Sequence, residues 1–593
     1  MTTYTAPIQE IEFVLNEIAD MPAISQLPGF EEASEDLVSA ILEESGKFAS
    51  EILAPINRQG DQQGSKLVDG KVVTPNGWKE AYQAYVDGGW GSLVFPEEFG
   101  GQGLPECIST AVHEMWDSAN IAFSLCPMLT QGSINSLLSH GTDELKELLV
   151  PKLITGEWSG TMNLTEPQAG SDLSAVRTKA IPNGETYLIS GQKIFITYGD
   201  QDLSENIIHL VLARTPDAPA GVKGISLFLV PKFKLDSDGN MLDANDVRCV
   251  SLEHKLGIHG SPTCVLAFGD NGGAEGYLVG EENKGLIYMF TMMNAARLAV
   301  GLEGIGIAEG AYQLALDYAK DRVQGRPIGS TDDKATIIGH PDVKRMLMTM
   351  KSQIEAMRAL SYFTTGHVDK ASHSPDDDIR QHHRNMAELL TPVVKGWCTE
   401  TSVDITSIGM QIHGGMGYIE ETGAAQFFRD SRITPIYEGT TAIQANDLLG
   451  RKLLRDQGAT LKGFIAEMQS FSDNLTDSDF TTMQTNLNSG LDHLSQSVEW
   501  ILSAQQENPR LPAAASVLLL HLVGIVTGGQ LMIKSASIAK DKLNTNEGDA
   551  DFYTTKIKTA EFFTHHILPK SYGLMIAITQ GSVATLALED DQF

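Results

Sequence analysis

Residues 432–444 read Arg432-Ile-Thr-Pro-Ile-Tyr-Glu-Gly-Thr-Thr-Ala-Ile-Gln444. Glu438 is the only acid in this stretch, and it lies between the aromatic ring of Tyr437 and the glycine Gly439. Lost solvation beside an aromatic ring raises the pKa of a carboxylate toward neutral pH, where it is suited to remove a proton from carbon. Gly439 lets the backbone approach a ligand closely. Taken alone, an acid in a Gly-Thr-Thr turn is more often a cap or turn residue.

Three further stretches support the catalytic interpretation. They are Met162-Asn-Leu-Thr-Glu-Pro-Gln-Ala-Gly-Ser-Asp172, Gly191-Gln-Lys-Ile-Phe-Ile-Thr-Tyr-Gly199 and Gln411-Ile-His-Gly-Gly-Met-Gly417. With the stretch around Glu438 they make the chain resemble the acyl-CoA dehydrogenase family, in that family's order, from about residue 40 to about residue 455. The extra length at both ends and the sequence of residues 437–447 are most similar to the 3-methylmercaptopropionyl-CoA dehydrogenase group.

The resemblance implies a reaction and a cofactor. It implies FAD-dependent α,β-dehydrogenation of an acyl-CoA thioester, in which Glu438 removes the α-proton and flavin N5 accepts the β-hydride. The backbone N–H of Glu438 would donate a hydrogen bond to the thioester oxygen, as in an oxyanion hole. It also implies electron transfer to an electron-transfer flavoprotein.

The resemblance also assigns the other site residues. The residues expected to bind FAD are Thr165, Phe195, Thr197, Arg322, Gln324, Gln411, Gly414, Gly415 and Thr440. Those expected to bind the substrate are Ser171, Arg297, Tyr437 and Gly439. Because residues 411–415 match a segment that approaches the FAD of a neighbouring subunit, a homo-oligomer is expected, either a homodimer or a tetramer.

Each of these residues also has an ordinary structural interpretation. A threonine in a strand, a phenylalanine in a core and a serine in a turn need no ligand. Arg297 has no acid three or four residues away with which to form a salt bridge along its helix. A salt bridge from Arg297 to another helix remains an equal alternative.

Composition narrows the class of protein. The 593 residues favour about three or four domains. The formal net charge of −33 disfavours binding to nucleic acid or to an anionic membrane. The five cysteines are widely spaced without a CxxC pair, which favours a reducing, cytoplasmic location and no metal site. The first twenty residues lack the basic and apolar regions of a targeting peptide, and we expect none.

The periodicity of apolar residues predicts a mainly α chain with a central β domain. We expect an N-terminal lead over 1–36, with a helix from about residue 8 to 18, and a helical domain over 37–160. A small β-barrel domain over 161–284 follows from short β-branched runs between turn residues. A helical bundle with the catalytic base over 285–455 and a C-terminal helical extension over 456–593 complete the chain.

One stretch is long enough to span a bilayer. Residues 511–533 carry no formal charge except on His521. The stretch also contains proline, glycine and polar residues, so we predict a buried helix, broken near Gly528-Gly529, and no membrane span.

Other functions remain open at this point. An acyl-CoA oxidase would share the fold and the base, and a long-chain acyl-CoA dehydrogenase would share the C-terminal extension. A DNA-associated, dehydrogenase-like protein needs a basic surface, whereas the C-terminal region here is rich in Asp and Glu. Because the similarity beyond residue 438 is more specific than the length of the extension, we expect a short-chain or 3-methylmercaptopropionyl-CoA substrate.

Overall fold

The computed structural model describes residues 4–332 and 334–593. The chain forms two compact units. The first consists chiefly of Lys47–Leu104 and Ala119–Ala299, and the second of Thr5–Gly46, Pro105–Ser118 and Val300–Phe593. The division into five segments along the sequence stays a prediction.

The structure confirms a mainly helical chain with a central sheet. The α-helices are α1 Ile8–Glu17, α2 Met21–Ile24, α3 Glu35–Lys47, α4 Ala54–Gln63, α5 Trp78–Asp87, α6 Glu106–His140, α7 Asp143–Ile154, α8 Gly285–Asp321, α9 Pro341–His373, α10 Asp377–His413, α11 Ala424–Ser431, α12 Thr441–Asp447, α13 Ala459–Asp473, α14 Thr481–Glu507, α15 Arg510–Thr545, α16 Ala550–His566, α17 Lys570–Ile576 and α18 Ser582–Thr585. The strands are β1 Lys66–Val68, β2 Lys71–Val73, β3 Trp158–Asn163, β4 Lys179–Asn183, β5 Thr186–Thr197, β6 Asn206–Ala213, β7 Ser226–Pro231, β8 Phe233–Leu235, β9 Met241–Ala244, β10 Val247–Leu252, β11 Thr263–Phe268 and β12 Ala274–Leu278.

The first unit is built on an eight-stranded sheet with the order β10-β11-β5-β12-β7-β6-β3, in which β4 also pairs with β5. The neighbours are antiparallel except β3 and β6, which run parallel. Every residue of β6 and β7 is buried because both faces are covered, which explains their continuous apolar runs. β5 is the longest strand and pairs with three others, so its C-terminal end is firmly placed.

The second unit is a bundle of long helices. Helix α10 packs against α9, and α15 packs against α9, α10, α14 and α16. The C-terminal helices therefore share one apolar core with the helices that carry the predicted base. The expected helix near the N-terminus is α1, which contacts α9 and α15 within this unit.

The expected break near Gly528-Gly529 is wrong, because α15 runs without interruption from Arg510 to Thr545. The glycines serve close packing instead. A Cβ atom on Gly528 would lie 3.0 Å from the ring of Trp397, and one on Gly529 would lie 3.2 Å from Leu568. A long helix tolerates glycine where a neighbouring side chain occupies the space of the missing Cβ.

Two described helices, α8 and α15, are long and apolar enough to cross a bilayer by length and composition. Core helices of soluble proteins pass the same test. In the most apolar 18-residue part of each helix, 67% is buried within the protein for α15 and 44% for α8.

Candidate active site

The predicted base lies in a tight turn between α11 and α12. The backbone N–H groups of Ile436 and Tyr437 both donate to the carbonyl of Ile433, at 2.9 and 3.1 Å. Glu438 has φ of +54° and Gly439 has φ of +85°, so two successive residues are left-handed. This conformation is unfavourable for a residue with a Cβ atom, so the surroundings of Glu438 must hold it there.

Lys395 on α10 supplies part of that support. Its ammonium group is fully buried and donates to the carbonyl of Thr434, at 2.8 Å, and to the carbonyl of Gly439, at 2.7 Å. The lysine thereby joins both ends of the turn that presents Glu438. Hydrogen bonds from a charged donor are stronger than neutral ones.

The Gln444 side chain adds a second support from α12. Its amide donates to the carbonyls of Glu438 and Gly439, each at 3.2 Å. A Cβ atom on Gly439 would lie 2.8 Å from this amide nitrogen, which would displace the Gln444 side chain, and the positive φ of Gly439 independently favours glycine. The Thr440 hydroxyl accepts from the N–H of Ile443 and caps the N-terminus of α12.

Tyr437 forms a buried pair with Glu303 of α8. The tyrosine hydroxyl donates to Glu303 Oε2 in a short contact, and Glu303 is 2% exposed. Burial raises the pKa of the Glu303 carboxyl well above its usual range, and the Asp117 and Glu438 carboxylates raise it further. Burial, with the neighbouring Glu303 carboxyl, also raises the pKa of Tyr437 well above its usual range, so the phenol keeps its proton.

Sequence reasoning missed Lys395 and Glu303. The available signal was a single charged side chain inside an otherwise apolar or small-residue run. Lys395 follows Val393-Val394 and precedes Gly396-Trp397, and Glu303 lies within residues 300–308, which have no other charge. Charged residues are rarely buried unless they are paired, so an isolated charge in such a run indicates a candidate functional residue.

The predicted flavin residues of the first unit lie at neighbouring strand ends. The carbonyl of Thr165, just after β3, accepts from the N–H of Ile194 in β5 at 2.9 Å. Phe195 is 59% exposed with φ of +59°. It lies where the β5–β11 register shifts, and Thr197 pairs with Thr263 at the end of β5. The register shift leaves the Phe195 side chain exposed.

A buried ion pair fixes these two segments. Lys193 Nζ lies 2.8 Å from Glu166 Oε1 and also donates to the carbonyl of Leu164 at 3.0 Å. Burial opposes ionisation of Glu166, but the Lys193 ammonium and hydrogen bonds outweigh it and lower the pKa of that carboxyl to about 2. Burial lowers the pKa of Lys193 to about 8, so both groups are charged at neutral pH.

The two predicted substrate residues of the first unit differ in exposure. Ser171 is exposed in the turn before Asp172, whose side chain accepts from the N–H of Ser174 at 2.9 Å. Arg297 is 4% exposed on α8, and its Nη1 donates to Asn294 Oδ1 at 3.3 Å.

Arg322 and Gln324 follow the C-terminal end of α8 in the second unit. Their backbones are fixed, because the Arg322 carbonyl accepts from the N–H of Ile337 at 2.8 Å and the Gln324 carbonyl lies 3.0 Å from His340 Nε2. Their side chains are exposed. A guanidinium group in this setting is available to a phosphate.

Gln411, Gly414 and Gly415 lie at the exposed C-terminal end of α10. Gly414 has φ of +59°, and a Cβ atom at either glycine would meet nothing within 4 Å. This open backbone accommodates a close ligand. Within the second unit, the arginine and the open glycines have the chemistry that suits a diphosphate. Within the first unit, the exposed Phe195 face and the Thr197 hydroxyl have the chemistry that suits a flavin ring.

Comparison with known proteins identifies four matching family models. They are the acyl-CoA dehydrogenase N-terminal domain over residues 36–157, the middle domain over 161–271 and the C-terminal domain over 283–453. A model described as acetyl-CoA dehydrogenase C-terminal like matches residues 464–589.

Two curated relatives match along nearly the whole chain. The 3-methylmercaptopropionyl-CoA dehydrogenase of Ruegeria pomeroyi is 50% identical, over 95% of this chain and 96% of the relative. A butyryl-CoA dehydrogenase of Syntrophomonas wolfei is 35% identical, over 100% of this chain and 99% of the relative. Among solved structures, an acyl-CoA dehydrogenase from Bacillus anthracis complexed with FAD has the same fold, with a TM-score of 0.75, 21% identity and coverage of 96% and 91% of the two chains.

Proposed function

The chain belongs to the acyl-CoA dehydrogenase family and is an FAD-dependent oxidoreductase, and on this premise we propose that Glu438 is its catalytic base. The observation that carries the proposal is the turn of residues 433–440. It holds a half-buried carboxylate in a left-handed conformation, braced by the ammonium of Lys395. A base for a weakly acidic carbon must be held in a fixed orientation, and the braced turn supports this role for Glu438.

In the proposed reaction, the residues of the chain have separate roles. Glu438 removes the α-proton of the thioester, and its backbone N–H donates to the oxygen on which negative charge develops. Bound FAD supplies the acceptor for the β-hydride, and the residues that would hold it are Thr165, Phe195, Thr197, Arg322, Gln324, Gln411, Gly414, Gly415 and Thr440.

Substitution Glu438→Gln tests the assignment. The amide is nearly the same size as the carboxylate but accepts no proton at neutral pH. We expect normal FAD content and acyl-CoA binding, with kcat lowered by about 10³-fold or more. Turnover near that of the wild type would show that another group is the base.

The proposed substrate is a short acyl-CoA, with 3-methylmercaptopropionyl-CoA as the first choice. The support is the 50% identity to the Ruegeria pomeroyi enzyme of that name, compared with 35% to a butyryl-CoA dehydrogenase. A dye-linked assay over esters from butyryl-CoA to palmitoyl-CoA, with the thioether ester included, tests this choice. A maximum of kcat/KM at a long straight chain would contradict it.

The proposed electron acceptor is an electron-transfer flavoprotein, and the proposed assembly is a homodimer or tetramer. The exposed, open backbone of Gly414 and Gly415 supports a cofactor contact from a second copy. Stoichiometric hydrogen peroxide release would favour an oxidase instead, and an active monomer in light scattering would contradict the shared site. The five free, buried thiols support a proposed cytoplasmic location.

A further inference from the structure

We propose that Glu303 is a positioning residue for the base Glu438, and that it acts as a neutral carboxylic acid through the hydroxyl group of Tyr437. The proposal rests on the assignment of Glu438 as the base. Glu303 lies on α8, 135 positions before Glu438 in the sequence.

The geometry gives Glu303 one partner in the turn. Its Oε2 accepts the Tyr437 hydroxyl, and Tyr437 is the residue directly before the base. Its Oε1 receives no hydrogen bond from any residue that the structure describes. Since a buried ionised carboxylate normally gathers several donors, a carboxyl with a single donor is better accommodated in the neutral form.

The charges around Glu303 come from three other elements. Among the described residues, the acids that raise its pKa are Asp117 of α6 and Glu438 of the turn, and Lys395 of α10 is a cation that lowers it. Burial and the two acids raise the pKa of Glu303, while the Tyr437 hydrogen bond and the Lys395 ammonium lower it, and the net direction is upward. Two negative neighbours and one positive neighbour thus favour a protonated Glu303.

A neutral Glu303 avoids electrostatic repulsion between two neighbouring carboxylates. An ionised carboxylate beside Glu438 would repel its charge and raise the pKa of the base, so fewer molecules would carry an ionised base at a given pH. A neutral acid still accepts the Tyr437 hydrogen bond and holds the turn. The pair therefore orients the base without altering its charge.

The substitutions Glu303→Gln and Glu303→Leu distinguish the hydrogen bond that Glu303 accepts from Tyr437 from the charge of the Glu303 side chain. Glu303→Gln keeps a carbonyl oxygen for Tyr437 and imitates the neutral acid, so we expect kcat within about 3-fold of the wild type. Glu303→Leu removes the acceptor and leaves the tyrosine hydroxyl buried without it. We expect that variant to lose about 10-fold or more in kcat, with KM and FAD content unchanged.

The pH profile tests the charge directly. The acid limb of kcat/KM against pH reports ionisation of the base in the free enzyme. If Glu303 is neutral in the wild type, Glu303→Gln leaves this limb in place. A downward shift by about 1 pH unit would show that an ionised Glu303 had raised the pKa of Glu438, and it would overturn the proposal.

A double variant and a matched control complete the test. Tyr437→Phe combined with Glu303→Leu should be no slower than the slower single variant, because both changes remove one contact. Glu309→Gln removes another buried acid of α8, one that accepts from Arg358 Nη2 at 2.9 Å. It should lower thermal stability without changing the acid limb.

The outcomes separate this proposal from the function proposed above. Wild-type kcat in Glu303→Leu would overturn the role of Glu303, and so would an equal loss in Glu303→Gln and Glu303→Leu. If Glu303→Leu fails to fold, the glutamine variant and its pH profile still decide. Loss of activity in Glu438→Gln together with an overturned role for Glu303 would leave the base assignment intact.

Discussion

A charged donor for the turn that presents the base comes from Lys395, which lies 43 positions earlier in the chain than Glu438. Glu438 occupies a region of backbone space that a residue with a side chain rarely adopts, at a cost of about 1–3 kcal/mol. Lys395 offsets this cost by bonding the carbonyls on either side of the turn. A buried ammonium is itself unfavourable unless paired, so the lysine and the turn stabilise each other.

Replacing Lys395 by methionine should disturb the base without removing it. The thioether chain fills similar space but donates no hydrogen bond, so the carbonyls of Thr434 and Gly439 lose a charged donor. We predict a loss of about 10- to 100-fold in kcat with FAD retained, measured in the dye-linked assay.

Lys452→Met is the matched control for Lys395→Met. Lys452 Nζ lies 2.6 Å from Glu388 Oε2, and the glutamate side chain is 56% exposed. The lysine side chain is 14% exposed, so the pair is partly exposed, and such a pair contributes modestly to stability. Equal activity in the two methionine variants would contradict the proposed role of Lys395.

At the scale of elements, glycine governs how closely α10 and α15 approach. Trp397 of α10 is 2% exposed, and a Cβ atom on Gly524 of α15 would lie 2.4 Å from its indole ring. In the other direction, a Cβ atom on Gly396 would lie 2.7 Å from Leu520. Each helix thus provides a gap for a large side chain of the other, and α10 carries both Lys395 and the Gly414-Gly415 end.

Gly524→Ala should force these two helices apart or displace the indole. Overpacking of a close-packed core costs about 1–3 kcal/mol, so we predict a lower midpoint of thermal unfolding. Gly463→Ala in α13 is the control, because a Cβ atom there meets nothing within 4 Å. That change should be neutral or stabilise by up to about 1 kcal/mol, as expected for an alanine in an open helix. A midpoint unchanged in Gly524→Ala would show that the interface is loosely packed.

At the scale of the whole molecule, a buried charge network joins distant parts of the second unit. Lys556 Nζ of α16 lies 2.7 Å from Glu10 Oε1 of α1 and 2.8 Å from Glu355 Oε2 of α9. Lys351 adds a second cation 2.8 Å from Glu355. The N-terminal and C-terminal segments therefore meet at one site, although they are at opposite ends of the sequence.

The network predicts acid sensitivity. Burial opposes ionisation of Glu355, but the Lys351 and Lys556 ammonium groups lower its pKa from 4.5 to about 2. The folded state then holds fewer protons than the unfolded state between these values, so stability is fully present above about pH 4.5 and is lost as pH falls toward 2.

Glu355→Gln should flatten the dependence of the unfolding midpoint on pH between about 4.5 and 2. The control is Glu499→Gln, which removes an exposed carboxylate 2.7 Å from Lys462 Nζ. It should follow the wild-type curve. Parallel curves for wild type and Glu355→Gln would contradict a paired, ionised Glu355 in the folded state.

The sequence by itself determined the family, the alternation of helical and β regions and the position of the predicted base. Local periodicity and short motifs carry that information within a few residues of each other. The tertiary structure decided which side chains support the base. Lys395 and Glu303 meet residues 434–439 only because α10 and α8 pack beside this turn, and no motif spans those distances in sequence. It also decided that Gly528 and Gly529 pack against Trp397 and Leu568 rather than break α15, since a glycine in sequence does not show what faces it.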